Sequence, residues 1–145
     1  MVNELNAVVR ELGGRRTFRR VLRSQDDLRA AIRQGFPAAA IQGLLEATSL
    51  SLEELAGCLD LSVRSLQRRR RSGRLMQYES DRLYRLARIV ALAEQSLGDR
   101  ARGIRWLKKA NATLGGAAPI EALDTEIGAR RVEDALGRIA YGGVS

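Results

Sequence analysis

The sequence predicts an all-α protein built as two small helical units in succession. Three observations carry this. Ala, Leu, Arg and Glu are abundant and only two prolines occur in 145 residues, a composition that favours helices. Aromatic residues make up 4% of the chain against 45% hydrophobic residues overall, so the core must be aliphatic. Apolar residues also recur at i, i+3, i+4 and i+7 rather than in alternation.

The elements follow in order. Residues 1–24 read as a flexible basic arm: Val8, Val9 and Leu12 allow a short helical turn, and Gly13-Gly14 stops it. Arg15, Arg16, Arg19, Arg20 and Arg23 come next. They suit either a frayed, solvated terminus or an extension that touches DNA. Asp26 and Asp27 place acids at the positive end of a helix whose Leu28 and Ile32 share a face and which Gly35 ends. Pro37 is placed at the first position of the next helix, which buries Ala40, Ile41, Leu44 and Leu45. Ser51-Leu52-Glu53-Glu54 is a capping box. Leu52, Leu55, Ala56 and Leu59 then form one apolar stripe. Asp60-Leu61-Ser62 makes a tight turn, with Asp60 tolerating a left-handed backbone and Ser62 capping the helix that follows. Val63 and Leu66 give that helix its apolar face, and Ser72-Gly73 closes it. A helix over residues 80–97 carries Leu83, Leu86, Val90, Ala93 and Leu97 as a seam. The seam suits either packing within one chain or a dimer contact. Gly98 ends this helix, and Asp99 caps another that runs to about Ala112. Leu114-Gly115-Gly116 breaks the chain, Pro119 opens a short turn to Leu123, and Thr125 caps a last helix with Val132, Ala135, Leu136 and Ile139 on one face. Tyr141-Gly142-Gly143-Val144-Ser145 is expected to lie beyond that helix.

Charge gives this frame a function. The formal net charge is +8, which suits a polyanionic partner. Residues 36–61 hold four acids and no Lys or Arg, whereas residues 62–77 hold six arginines and no acid, a step from −4 to +6. An apolar helix, a short turn and a second helix with polar outward positions make a helix-turn-helix over Ser51–Arg71, whose second helix enters the DNA major groove. Arg64, Ser65, Gln67 and Arg68 stand where base edges would be read. Arg69, Arg70, Arg71 and Arg74 stand where phosphates would be met. A basic, solvated helix face is the bland alternative, and the capping box, stripe, turn and charge step together favour DNA.

Several chemistries are excluded. The chain has no histidine and one cysteine, so Ser-His-Asp and Cys-His catalysis and the usual zinc spacings are out. Cys58 reads as a small core residue. The sequence holds no phosphate loop followed by lysine, so no enzyme, cofactor or metal is expected. No apolar run reaches membrane-span length and no signal segment is evident, so the expected location is the cytoplasm. At the far end, Gly142-Gly143 is a strand of small cross-section and Tyr141 a potential interface anchor. The carboxylate at Ser145 can pair with an arginine, although an ordinary disordered tail explains the same residues.

From about Leu50 onward the chain resembles the Xre/MbcA/ParS antitoxins, partners of RES-domain toxins. Ser65-Leu66-Gln67-Arg68-Arg69, Glu79-Ser80-Asp81-Arg82, Arg85-Leu86-Ala87-Arg88 and Trp106-Leu107 carry the resemblance. So do Asn111, Leu114-Gly115-Gly116, Pro119, Leu123, Thr125-Glu126, Gly128-Ala129, Leu136-Gly137-Arg138-Ile139 and Tyr141-Gly142. Ala110 departs from the family's frequent proline before the asparagine, and Gly143 from its more usual apolar residue. The resemblance implies an Xre-like helix-turn-helix and dimerisation region over 25–98 and a toxin-binding domain over 99–145. It further implies a cognate RES-domain toxin that degrades NAD or transfers ADP-ribose, covered by Arg138, Ile139, Tyr141, Gly142, Gly143, Val144 and Ser145. Operator DNA and a homodimer within a toxin–antitoxin hetero-oligomer complete the implied partners. A stand-alone transcriptional regulator without a toxin partner is the alternative.

Overall fold

The computed structural model describes residues 2–142, with side chains described from residue 4 onward. Among these residues the regular structure is helical, and the extended chain contributes a single antiparallel bridge between Pro37 and Arg74. The helices are α1 (Val2–Glu11), α2 (Arg15–Phe18), α3 (Gln25–Gln34), α4 (Ala39–Thr48), α5 (Leu52–Leu59), α6 (Val63–Ser72), α7 (Gln77–Leu97), α8 (Arg100–Lys108) and α9 (Glu126–Gly142). Short 3₁₀ segments, Ala112–Leu114 and Pro119–Asp124, join α8 to α9.

Helix α7 is the axis of the molecule. Its 21 residues span about 31 Å at the α-helical rise. It contacts α1, α3, α4 and α5 on the N-terminal side, and α8, α9 and Pro119–Asp124 on the C-terminal side. Leu83, Leu86, Val90 and Ala93 are all buried within the single chain. The seam predicted for this helix therefore packs largely inside one protomer, with Leu97 at its end only partly covered.

The described part of the N-terminal segment corrects the expectation of a flexible arm over residues 1–24. Val8, Leu12 and Leu22 belong to the core, and Glu11 and Thr17 are buried with them. Gly13 and Gly14, both with positive φ, do not release the chain but reverse it. Helix α2 then folds back, its Thr17 hydroxyl donating to the Leu12 carbonyl at 2.6 Å. Phe18 stacks edge-on against buried Phe36, with centroids 5.3 Å apart. Gly43 makes the docking on α4 possible, because a Cβ there would meet the Gly13 backbone at 2.8 Å.

Two smaller expectations also change. Pro37 does not open α4: Ala38 is the cap residue and Ala39 the first helical one, while Pro37 pairs with Arg74. Helix α8 stops at Lys108, short of Ala112, because Lys109 turns extended and Asn111 caps the 3₁₀ turn through the Thr113 amide at 2.9 Å.

The two halves are stitched across the core. Arg85, 8% exposed, donates to the Leu123 carbonyl at 3.0 Å and lies 3.7 Å from Glu126. Arg88 reaches Glu133 at 3.1 Å, and Lys108 reaches Glu54 at 3.3 Å. Cys58 is buried on α5, and its thiol donates to the Ile120 carbonyl at 3.7 Å. Burial pushes that thiol up to about 12, so it is an inert core group, as its setting on an apolar stripe predicts. Trp106 packs half-buried against this core, and Leu107 lies fully inside.

Candidate nucleic-acid interface and C-terminal surface

The helix-turn-helix is assembled from local rules. Ser51 accepts from the Glu54 amide at 3.0 Å while the Glu54 carboxylate accepts from the Ser51 amide at 2.9 Å. Burial raises the Glu54 pKa, but its bonds from the Ser51 amide and Lys108 outweigh that and hold it below the ordinary carboxylate range. Asp60 takes the left-handed conformation, φ 56°, that the turn requires. Ser62 then caps α6 by accepting from the Ser65 amide at 3.0 Å. Leu66, fully buried, plugs α6 onto the core.

The far end of α6 is held by a different device. Gly73 closes the helix at φ 97°, and the next residues pair with the loop before α4. The Ala38 amide donates to Gly73 and the Leu75 amide to Phe36, each at 2.9 Å. The Phe36 amide in turn donates to the buried Ser80 hydroxyl at 2.7 Å. With a cap at one end and this clasp at the other, α6 presents a rigid outer surface, as precise contact with base edges requires.

The arginines of α6 divide by direction. Arg64, Arg68 and Arg71 share an exposed face at i, i+4 and i+7. Among the described residues Arg64 and Arg71 make no ion pair, while Arg68 donates to the Ser65 hydroxyl at 3.4 Å. Gln67 accepts from Arg70 at 3.1 Å, and Arg70 also donates to Gln42 on α4 at 2.8 Å.

Two residues expected at phosphates are engaged in bonds to the protein itself. The Nε of Arg69 donates to both oxygens of Glu79, at 2.9 and 3.1 Å, and Glu79 is fully buried at the start of α7. Burial raises the Glu79 pKa, but the bonds from Arg69 and from the Met76 amide outweigh it and hold the carboxylate below its ordinary range. Arg69 thus ties α6 to α7. Arg74 donates to the Gly35 carbonyl at 2.6 Å and secures the clasp. For Arg70 the sequence held a signal: Val63, Leu66 and Arg70 stand at i, i+3 and i+7, which places half-buried Arg70 at the border of the apolar face and not on the outermost stripe. Nothing periodic links Arg69 to Glu79.

At the other end, α9 continues through Tyr141 to Gly142, so these two residues are helical and not part of an extended tail. Ile127, Arg131, Asp134, Arg138 and Tyr141 line one exposed face. Ile127 is 75% and Tyr141 94% exposed, whereas Ile139 turns toward the core. Gly128 lets α9 cross Pro119–Asp124 closely, since a Cβ there would overlap the Ala122 carbonyl. Gly143, Val144 and Ser145 lie outside the described residues. Among the described residues no cluster of His, Cys, Asp or Glu is placed to hold a metal ion, and no helix is long and apolar enough to cross a membrane.

Comparison with known proteins finds a match for each half of the chain. Residues 27–88 match the model of the antitoxin Xre-like helix-turn-helix domain. Residues 92–142 match that of the antitoxin Xre/MbcA/ParS C-terminal toxin-binding domain. Antitoxin Xre of Pseudomonas putida is 35% identical over 122 residues, 83% of this chain and 76% of that protein. Antitoxin Xre of Yersinia enterocolitica is 32% identical over 114 residues, 77% of each. Antitoxin Xre of Photorhabdus laumondii is 29% identical over 120 residues, 81% of each. The chain belongs to the Xre/MbcA/ParS antitoxin family, with an Xre-like helix-turn-helix domain followed by the family's toxin-binding domain.

Proposed function

We propose that this protein neutralises a cognate RES-domain toxin by covering its active site and binds its own operator to repress the operon. It acts as a cytoplasmic, non-catalytic regulator, and two copies engage two operator half-sites. The observation that carries the reading is the separation of two exposed faces, one on α6 and one on α9. The outer stripe of α6 (Arg64, Ser65, Arg68 and Arg71) is cationic, as a duplex partner requires. Arg70, held by Gln67 and Gln42, stands at its edge. The outer stripe of α9 sets an exposed isoleucine and an exposed tyrosine around mixed charges, which is the make-up of a protein interface. In the toxin complex, Arg138, Tyr141 and Gly142 lead Gly143, Val144 and Ser145 into the toxin's cleft, with Ile139 bracing the helix from below. The dimer contact lies elsewhere than Leu83, Leu86, Val90 and Ala93 of α7, which are buried within the chain.

Deleting Tyr141 to Ser145 tests the division of labour. Operator affinity in a gel-shift titration should stay within about twofold of the full chain, while rescue of cells expressing the neighbouring toxin gene is lost. Rescue by the shortened protein would refute the covering role. A protein that binds its operator beside no toxin gene, and that co-purifies with no toxin, would instead be a stand-alone regulator.

A further inference from the structure

A second basic surface lies across α4 from α6, borne by arginines that precede both matched segments. Helices α1, α2 and α4 enclose an open cleft of ≈ 660 Å³. Arg10, Arg15, Arg16 and Arg20 rim it, with Glu46 as the one carboxylate, leaving the rim with a net charge of +3. Arg15, Arg16 and Arg20 are exposed. Among the described residues Arg15 and Arg20 pair with no acid, and the Arg16–Glu46 contact is a loose 3.7 Å. These arginines are not on a floating arm. Thr17, Leu22 and the Phe18–Phe36 contact anchor the turn that bears them.

The cleft is also continuous with the groove-facing helix. Gln42 lines it, accepts from Arg70 of α6 at 2.8 Å and donates to Glu46 at 3.0 Å. Glu46 in turn faces Arg16. A chain of side-chain contacts therefore runs from α6 across α4 to the arginine cleft. A duplex seated on α6 has its sugar–phosphate backbone on either side of the groove, and fixed arginines flanking a recognition helix meet phosphate oxygens.

We propose that the Arg15, Arg16 and Arg20 surface is a second DNA contact, which grips the phosphate backbone alongside the groove read by α6. This rests on the DNA-binding reading of α6. The contact adds affinity and salt dependence without sequence preference. It also fixes the angle at which α6 enters the groove, because the cleft and the helix share Gln42.

The test compares the full-length protein with Arg15→Ala/Arg16→Ala/Arg20→Ala and with Arg15→Lys/Arg16→Lys/Arg20→Lys. Binding to operator-region and scrambled duplexes is titrated across a salt series. The alanine variant should lose about 0.9 in the slope of log K against log salt for each phosphate contact removed, by the same amount on both duplexes, with an unchanged circular dichroism melt. The lysine variant should keep most of the slope. An alanine variant with wild-type slope and affinity overturns the second contact while leaving the α6 reading intact. Absence of duplex binding by the unmodified protein overturns both, and equal duplex binding by it and Arg64→Ala/Arg68→Ala overturns the α6 reading on which this one rests. Saturable 1:1 binding of pyrophosphate that the alanine variant abolishes, with its duplex binding unchanged, would assign the cleft to a small anion and overturn the proposal.

Discussion

Arg68 and Arg69 are neighbours in sequence with opposite duties. A helical step of about 100° puts one on the solvent face and the other against α7, so a run of arginines legible as one basic block is two populations in space. Arg68→Ala should weaken specific operator binding by about 1–3 kcal/mol and leave the unfolding midpoint unchanged; equal operator affinity in a gel-shift titration would remove it from the reading surface. Arg69→Met should do the reverse. It strands the buried Glu79 carboxylate, at a cost of about 3 kcal/mol at neutral pH. The sign of the pH dependence follows from the lowered Glu79 pKa. The pair's stabilisation is present above the unfolded carboxylate pKa and is lost as pH falls through the folded one. Urea titrations of wild type and Arg69→Met should therefore converge in acid and separate toward neutrality. A constant gap across that range would mean that Arg69 acts through packing alone.

At the scale of elements, most helices were legible because their starts and stops are chemical. Ser51, Ser62 and Asp99 each accept from an amide three residues on, and glycines at positive φ close α3, α6 and α7. The N-terminal elements were not legible for a related reason. A Gly-Gly pair that ends a helix looks the same whether the chain then leaves the protein or doubles back. The partner that decides it, Gly43, lies about thirty residues away, and its only contribution is the absence of a side chain. Gly43→Ala should cost about 1–3 kcal/mol through overpacking against the Gly13 backbone. It should also open the Gly13–Arg20 turn to limited proteolysis; a digestion pattern like that of the wild type would show that the turn is held without this contact. The α7 seam illustrates the converse limit. Its spacing located the buried face correctly, but periodicity carries no information about whether the covering surface belongs to the same molecule.

For the molecule as a whole, the division read from sequence at residues 98 and 99 falls at the end of α7, while the matched segments part at 88 and 92, inside that helix. Helix α7 supplies core residues to both halves, and Arg85, Arg88 and Lys108 lock them together. Denaturation should therefore be a single two-state transition. Near-ultraviolet signals from Trp106 and the far-ultraviolet helix signal should overlay; separate midpoints would mean that the halves unfold independently. Such coupling was beyond single-sequence reading, because the joining contacts link residues 38 to 62 positions apart. One of those contacts also supplies a clock. Cys58 is the only cysteine in the chain, and its thiol is sealed beneath Ile120. An alkylating reagent can reach it only when Pro119–Asp124 lifts from α5, so the rate of modification times the parting of the two halves with no introduced label. Under the proposed covering of a toxin by α9, complex formation should slow that clock, so the native thiol would gauge how far a bound partner holds the two halves together.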